Sequence, residues 1–143
     1  MPPSDSARDE SDATEGSSRL DTAVALVEDL YRQHEKAMVG EAPRPLDPEE
    51  AGNWFNLYVV ERLEEERLQF DPLYNAQDRD ITDLEIFPHP DTPGLRGTFM
   101  VQARFRNFGE AETITLMVRP DIRQDNHPMR IYRIEYESGE AFE

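Results

Sequence analysis

The chain has 143 residues, the length of one ordinary domain, and a formal charge of -16 from 31 acidic and 15 basic residues. It contains no cysteine, which excludes disulfides, thiolate metal ligands and a cysteine nucleophile. A negative field of this size repels phosphate, and no apolar run reaches about 18 residues, so neither nucleic-acid binding nor a membrane span is expected.

The N-terminal stretch, residues 1–17, has the composition of a disordered acidic tail, with no aliphatic residue larger than alanine after Met1. We therefore assign a single domain to residues 18–143. The tail lacks the basic and apolar regions of a signal peptide. It fits the spacer left behind a removed leader, which implies a periplasmic or extracellular protein, and equally the native start of a cytoplasmic one.

Two helices are predicted next. Apolar residues recur at steps of three and four over residues 19–39, behind a cap at Ser18, which indicates a helix with one buried face. A second helix begins at Asp47 and Pro48, the residue types preferred at a cap and a first helical position. Its apolar positions continue to about Gln69, and Pro72 disfavours any further helix.

After residue 70 the apolar period changes to two, which predicts strands. We expect four of them, over residues 81–87, 95–108, 113–119 and 129–138. Two helices followed by four sequential strands predict an α+β domain, in which the helices pack on one face of a curved antiparallel sheet.

The second predicted strand has two different faces. One face is apolar, with Phe99, Val101, Ala103 and Phe105. The opposite face mixes aromatic, polar and basic residues, with Met100, Gln102, Arg104, Arg106 and Phe108. We expect the first face to form the core and the second to be covered only in part.

The most distinctive segment is the connector, residues 70–80, between the second helix and the first strand. It begins Phe-Asp-Pro-Leu-Tyr-Asn-Ala-Gln-Asp. Together with Val-Gln-Ala-Arg-Phe-Arg-Asn-Phe-Gly over residues 101–109 and Arg-Ile-Tyr-Arg-Ile-Glu over residues 130–135, it resembles family 3828 of the bacterial domains of unknown function. The resemblance covers residues 20–136.

The resemblance implies membership of the cone-shaped α+β group that is named after nuclear transport factor 2 and includes ketosteroid-isomerase-like enzymes. It implies a fold and a cavity, and no established activity. Proteins of this shape often pair through the sheet, so a homodimer is a further expectation.

Six residues in and near the connector are the candidate site. They are Asp71, Tyr74, Gln77, Asp78, Arg104 and Arg106. Two interpretations stay open. In the first, Asp78 pairs with the arginines, with help from the Gln77 amide, and anchors the connector to the sheet. In the second, these residues line a ligand pocket at the open end of the curved sheet.

No metal or cofactor is predicted. The segment from Asp78 to Asp83 begins like a calcium loop, but Asp83 stands where the sharp turn needs glycine. The three histidines, at positions 34, 89 and 127, show no zinc-ligand spacing.

The leading functional hypothesis is a non-catalytic domain that binds a small molecule or a protein in a groove between sheet and helices. One alternative is an isomerase, dehydratase or hydrolase, which requires an acid of raised pKa in a deep apolar cavity. Asp71 or Asp78 as base and Tyr58 or Tyr74 as donor are candidates that no spacing selects. Another alternative is an inhibitor or immunity-type protein that uses its acidic surface on a basic partner.

Overall fold

The computed structural model describes residues 3–65 and 68–143, with side chains from Ser18 onward. The helices in this part of the chain are α1 (Pro3–Met38), α2 (Pro48–Ala51) and α3 (Leu57–Glu65). The strands are β1 (Ile81–Pro88), β2 (Gly94–Leu95), β3 (Thr98–Asn107), β4 (Glu110–Pro120), β5 (Met129–Tyr136) and β6 (Ala141–Phe142). The helices pack on a curved antiparallel sheet, so the α+β prediction is confirmed.

The described sheet has six strands rather than the predicted four. Strands β1, β3, β4, β5 and β6 lie side by side in that order, and β2 also pairs with β3. The strand predicted over residues 95–108 is divided because Arg96 and Gly97 form a hairpin turn with φ of 53° and 80°. The short strand β6, which the alternation did not indicate, pairs with β5 at Ile134 and Glu135.

The helix predicted from Asp47 to Gln69 is also divided, into α2 and α3. Between them the backbone pairs with β5: the Asn56 N–H donates to the Ile131 carbonyl at 2.9 Å, and the Ile131 N–H donates to the Trp54 carbonyl at 2.8 Å. The Asn56 side chain then caps α3 by accepting a bond from the Val59 N–H at 3.0 Å. The local pattern favours one continuous helix, but pairing of this backbone with the open edge of β5 breaks it in two.

Helix α1 begins at Pro3, before the start that the predicted cap at Ser18 implies. The side chains of residues 1–17 lie outside the described part of the chain, so the disordered tail stays a prediction. Among the residues that the structure describes, no helix is long and apolar enough to cross a membrane.

The core lies between α1 and the inner face of the sheet. Val101, Ala103 and Phe105 of β3 are buried, whereas Arg104 and Arg106 between and beyond them are exposed. The predicted division of this strand into a core face and a wetter face is therefore confirmed.

Aromatic rings fill the space between the sheet and α1. The Tyr74 ring, from the connector, meets the Tyr31 ring of α1 at 5.4 Å and the Phe105 ring of β3 at 5.0 Å between centroids, both edge to face. All three side chains are buried. Such pairs combine a large buried apolar area with a favourable ring geometry.

Candidate functional site

Two buried tyrosines hold the connector over the core. The Tyr31 hydroxyl donates to the Leu73 carbonyl at 2.6 Å, and the Tyr136 hydroxyl donates to the Pro72 carbonyl at 2.8 Å. Burial raises the pKa of both phenols, which keeps them protonated as donors. The backbone of the connector is therefore positioned by side chains from α1 and β5.

Asp71 is the centre of a polar network at the start of the connector. Its Oδ2 accepts bonds from His34 Nε2 at 2.7 Å and from Arg79 Nη1 at 2.8 Å, and its Oδ1 accepts the Leu73 N–H at 2.9 Å. Since an ionised carboxylate only accepts, Nε2 of His34 carries the proton. The side chains of Asp71 and His34 are 11% and 12% exposed, so this network is largely shielded from water.

Tyr74 belongs to the core rather than to a pocket wall. Its hydroxyl donates to Glu35 Oε1 at 2.5 Å, and the Arg79 guanidinium lies 5.9 Å from the centre of its ring. Burial, together with the Glu35 carboxylate, raises the pKa of Tyr74. The phenol therefore stays neutral and joins α1 to the connector.

A cleft of about 720 Å³ lies beside this network. The lining residues belong to the end of α1, the loop before α2, the end of α3 and the connector. We call it the helix-side cleft. Its polar lining includes His34, Arg44, Asp47, Asp71, Gln77 and Arg79. Its apolar lining includes Ala37, Met38, Leu46, Leu63, Leu68 and Phe70.

Three of the six predicted site residues lie in this region. Asp71 and Gln77 line the cleft, and Tyr74 is buried in the aromatic cluster next to Asp71. Sequence reasoning missed the two partners of Asp71, which are His34 and Arg79. The available signal for His34 was its place on the apolar face of a predicted helix, and for Arg79 its place beside the connector motif.

The other three predicted site residues lie apart from the cleft. Arg104 and Arg106 extend from the outer face of β3, where Arg104 lies 5.0 Å from the Phe87 ring centre and Arg106 lies 3.8 Å from Asp83. Asp78 is exposed, and no ion pair joins it to either arginine in the described structure. The expected anchor is absent there because the connector packs on the inner face of the sheet, whereas positions 104 and 106 alternate outward.

The network is organised for hydrogen bonding rather than for metal binding. In residues 3–65 and 68–143, no group of three histidine, aspartate or glutamate side chains is placed to hold a metal ion. The groups that face the helix-side cleft are instead two arginines, an imidazole, two amides and two carboxylates. They suit a polar organic group better than a bare cation.

No protein-family model, no curated protein and no solved structure matches this chain. The resemblance to family 3828 stays a prediction that rests on the connector and strand motifs.

Proposed function

We propose that the protein is a non-catalytic binding domain and that its ligand occupies the helix-side cleft. The observation that carries the proposal is a cleft of about 720 Å³ in which apolar walls meet a fixed polar network. Ligand sites typically enclose about 300–1,000 Å³ and combine apolar walls with a few placed polar groups. The hydrogen bonds of Asp71 hold Arg79 and His34 in place before any ligand arrives.

The packing of the interior favours binding over catalysis. An enzyme of the ketosteroid-isomerase type needs a deep apolar cavity between sheet and helices, with an acid of raised pKa inside it. The rings of Tyr31, Tyr74 and Phe105 occupy that space. The described carboxylate whose pKa is raised, Glu112, lies on β4 and does not line the helix-side cleft.

The proposal includes membership of family 3828 and of the group named after nuclear transport factor 2. Helices on one face of a curved antiparallel sheet are in keeping with it. Pairing of two copies through the sheet also belongs to the proposal, and sedimentation velocity at several concentrations tests it.

A matched pair of tryptophan variants tests the site. Ala37 lines the cleft, whereas its neighbour Lys36 is exposed on the same helix and does not. We expect Ala37→Trp to fill the cleft and Lys36→Trp to leave it open. Both variants and the parent are screened against a library of small organic molecules by amide chemical-shift mapping in NMR.

Hits should shift the amides of cleft residues in the parent and in Lys36→Trp, and should lose these shifts in Ala37→Trp. Melting curves of both variants establish that each one is folded. Hits that map outside the cleft, or that keep their affinity in Ala37→Trp, contradict the proposal.

A further inference from the structure

We infer that the ligand of the helix-side cleft is a small organic acid, with one carboxylate attached to an apolar body. This inference rests on the proposed function, because it names the chemical class that the same cleft takes. The inference follows from two properties of the lining. One is the set of hydrogen-bonding groups that have no partner within the protein, and the other is the distribution of charge around them.

The carboxylate of Asp71 is already saturated, whereas the guanidinium of Arg79 is not. Both oxygens of Asp71 accept bonds within the protein. The contacts of Arg79 with Asp71, with the Met38 sulfur and with His34 Nε2 all use Nη1. Within the described part of the chain, Nη2 and Nε of Arg79 have no hydrogen-bond partner, so one edge of the guanidinium remains for a ligand. Two parallel N–H groups match a carboxylate.

Arg44 supplies a second cation at the same cleft. Its side chain is exposed, lines the cleft, and forms no ion pair with a described residue. Among the lining groups, Gln77 is also exposed and offers an amide donor. The guanidinium groups of Arg44 and Arg79 and the lining amides offer more unused N–H donors than the Asp47 carboxylate and the amide oxygens offer acceptors, which favours an acceptor on the ligand.

The surrounding charge limits that acceptor to one negative charge. The chain has a net charge of -16, and Asp47 stands among the lining residues. Charges beyond about 8 Å are screened at physiological salt, so the lining itself decides. Asp71 already pairs with Arg79, and Asp47 offsets Arg44, so the cleft can take one further negative charge on the free N–H groups of the two arginines more readily than two. A phosphate monoester, with a charge of about -1.5 to -2, places more negative charge beside the lining carboxylates of Asp47 and Asp71.

The apolar lining of the cleft favours an apolar body on the ligand. Met38, Leu46, Leu63 and Leu68 offer aliphatic surface, and Phe70 offers a ring. A small anion without an apolar part would leave this apolar surface exposed to water. Each methylene buried there strengthens binding by about fourfold.

Calorimetric titration of the full chain with four probes tests the inference. The probes are octanoate, butyrate, octanol and octyl phosphate. We expect octanoate to bind at least about tenfold more tightly than octanol, because a charge-assisted hydrogen bond contributes that much. Butyrate should bind more weakly because it lacks four methylenes, and octyl phosphate should bind more weakly because it carries more negative charge than a carboxylate.

Three arginine variants separate the site from general charge effects. Arg44→Gln and Arg79→Lys should each weaken octanoate binding by about tenfold and leave octanol binding unchanged. Arg104→Gln, which removes an arginine from the outer face of β3, should change neither. The side chain of Arg44 has no described partner, so its replacement keeps the test valid even if Arg79→Lys loses stability.

Octanoate that binds no more tightly than octanol overturns the inference, as does octanoate binding that Arg44→Gln leaves intact. A higher affinity for octyl phosphate overturns it in favour of a phosphate ligand. If octanol binding is lost in Ala37→Trp while octanoate has no advantage, only the inference fails. If no probe binds in a manner sensitive to Ala37→Trp, the proposed function fails with it.

Discussion

Asp71 and Arg106 each belong to an aspartate–arginine pair, and the two pairs lie on opposite sides of the sheet. The Asp71–Arg79 pair is 2.8 Å long, with side chains 11% and 22% exposed. The Arg106–Asp83 pair is 3.8 Å long, with side chains 54% and 75% exposed. The same residue types therefore anchor the connector on the inner side and do little on the outer side. The two pairs differ in the stabilisation they provide because the outer pair is exposed to water, which solvates its charges and screens their attraction.

The largest expected effect comes from the inner pair. Asp71→Asn removes the charge that His34 and Arg79 face, and should lower the free energy of unfolding by about 2 kcal/mol. Asp83→Asn is the matched change on the outer side and should alter it by less than about 0.5 kcal/mol. Urea denaturation measures both. Equal losses in the two variants would contradict the contrast between the faces.

The hydroxyl of Tyr31 should rank next. Tyr31→Phe keeps the ring in the aromatic cluster but leaves the buried Leu73 carbonyl without its donor. We expect a loss of about 1.5 kcal/mol, measured by the same denaturation. Tyr58→Phe is the control, because Tyr58 is exposed, and its removal of a hydroxyl should cost nothing measurable. An unchanged midpoint in Tyr31→Phe would show that this bond does not hold the connector.

Replacing Asp78 should change the free energy of unfolding less than Asp71→Asn or Tyr31→Phe does. The side chain of Asp78 is exposed. The described hydrogen bond of this residue is made by its backbone carbonyl, which accepts from Asn107 Nδ2 at 3.3 Å. Asp78→Ala should therefore shift the free energy of unfolding by no more than about 0.5 kcal/mol. Thermal melting checks this. A large drop would restore the interpretation in which Asp78 anchors the connector.

Replacing Glu112 should give the smallest change in stability, and the size of this change depends on pH. Partial burial, then the nearby carboxylates Glu137 and Glu110, raise the pKa of Glu112. The folded state therefore loses stability as pH rises through the carboxylate range, because the charged form is disfavoured there. Glu112→Gln should raise the melting temperature at pH 7, and the gain should vanish below about pH 4. Glu41→Gln, in the exposed loop after α1, is the control that removes one negative charge away from the sheet.

Much of the fold could be predicted because it depends on local pattern. The alternation of β3 correctly separated Val101, Ala103 and Phe105 from Arg104 and Arg106. The errors arose where a distant backbone changes the outcome. The second helix breaks because the backbone from Trp54 to Asn56 pairs with β5, and no helical periodicity records the open edge of a strand more than seventy positions away.

The candidate site was also predictable in part, where it depends on local sequence, and unpredictable where it depends on distant residues. The connector could be singled out from its composition, and within it Asn75, a residue type that tolerates positive φ, has a φ of 51°. The partners of Asp71 could not be predicted. His34 lies 37 residues before it on another element, and several acids and bases of the chain were equally plausible pairs.

The sequence by itself determined the acidic surface, the change of apolar period near residue 70, and the face of β3 that is buried. These properties depend on composition and on backbone geometry that repeats every few residues. Only the tertiary structure decided which side of the sheet the connector covers. That choice placed Asp71 against His34 and Arg79, left Arg104 and Arg106 in water, and formed a cleft between helices and connector rather than under the sheet. It rests on the packing of Tyr31, Tyr74 and Phe105, three rings from distant parts of the chain.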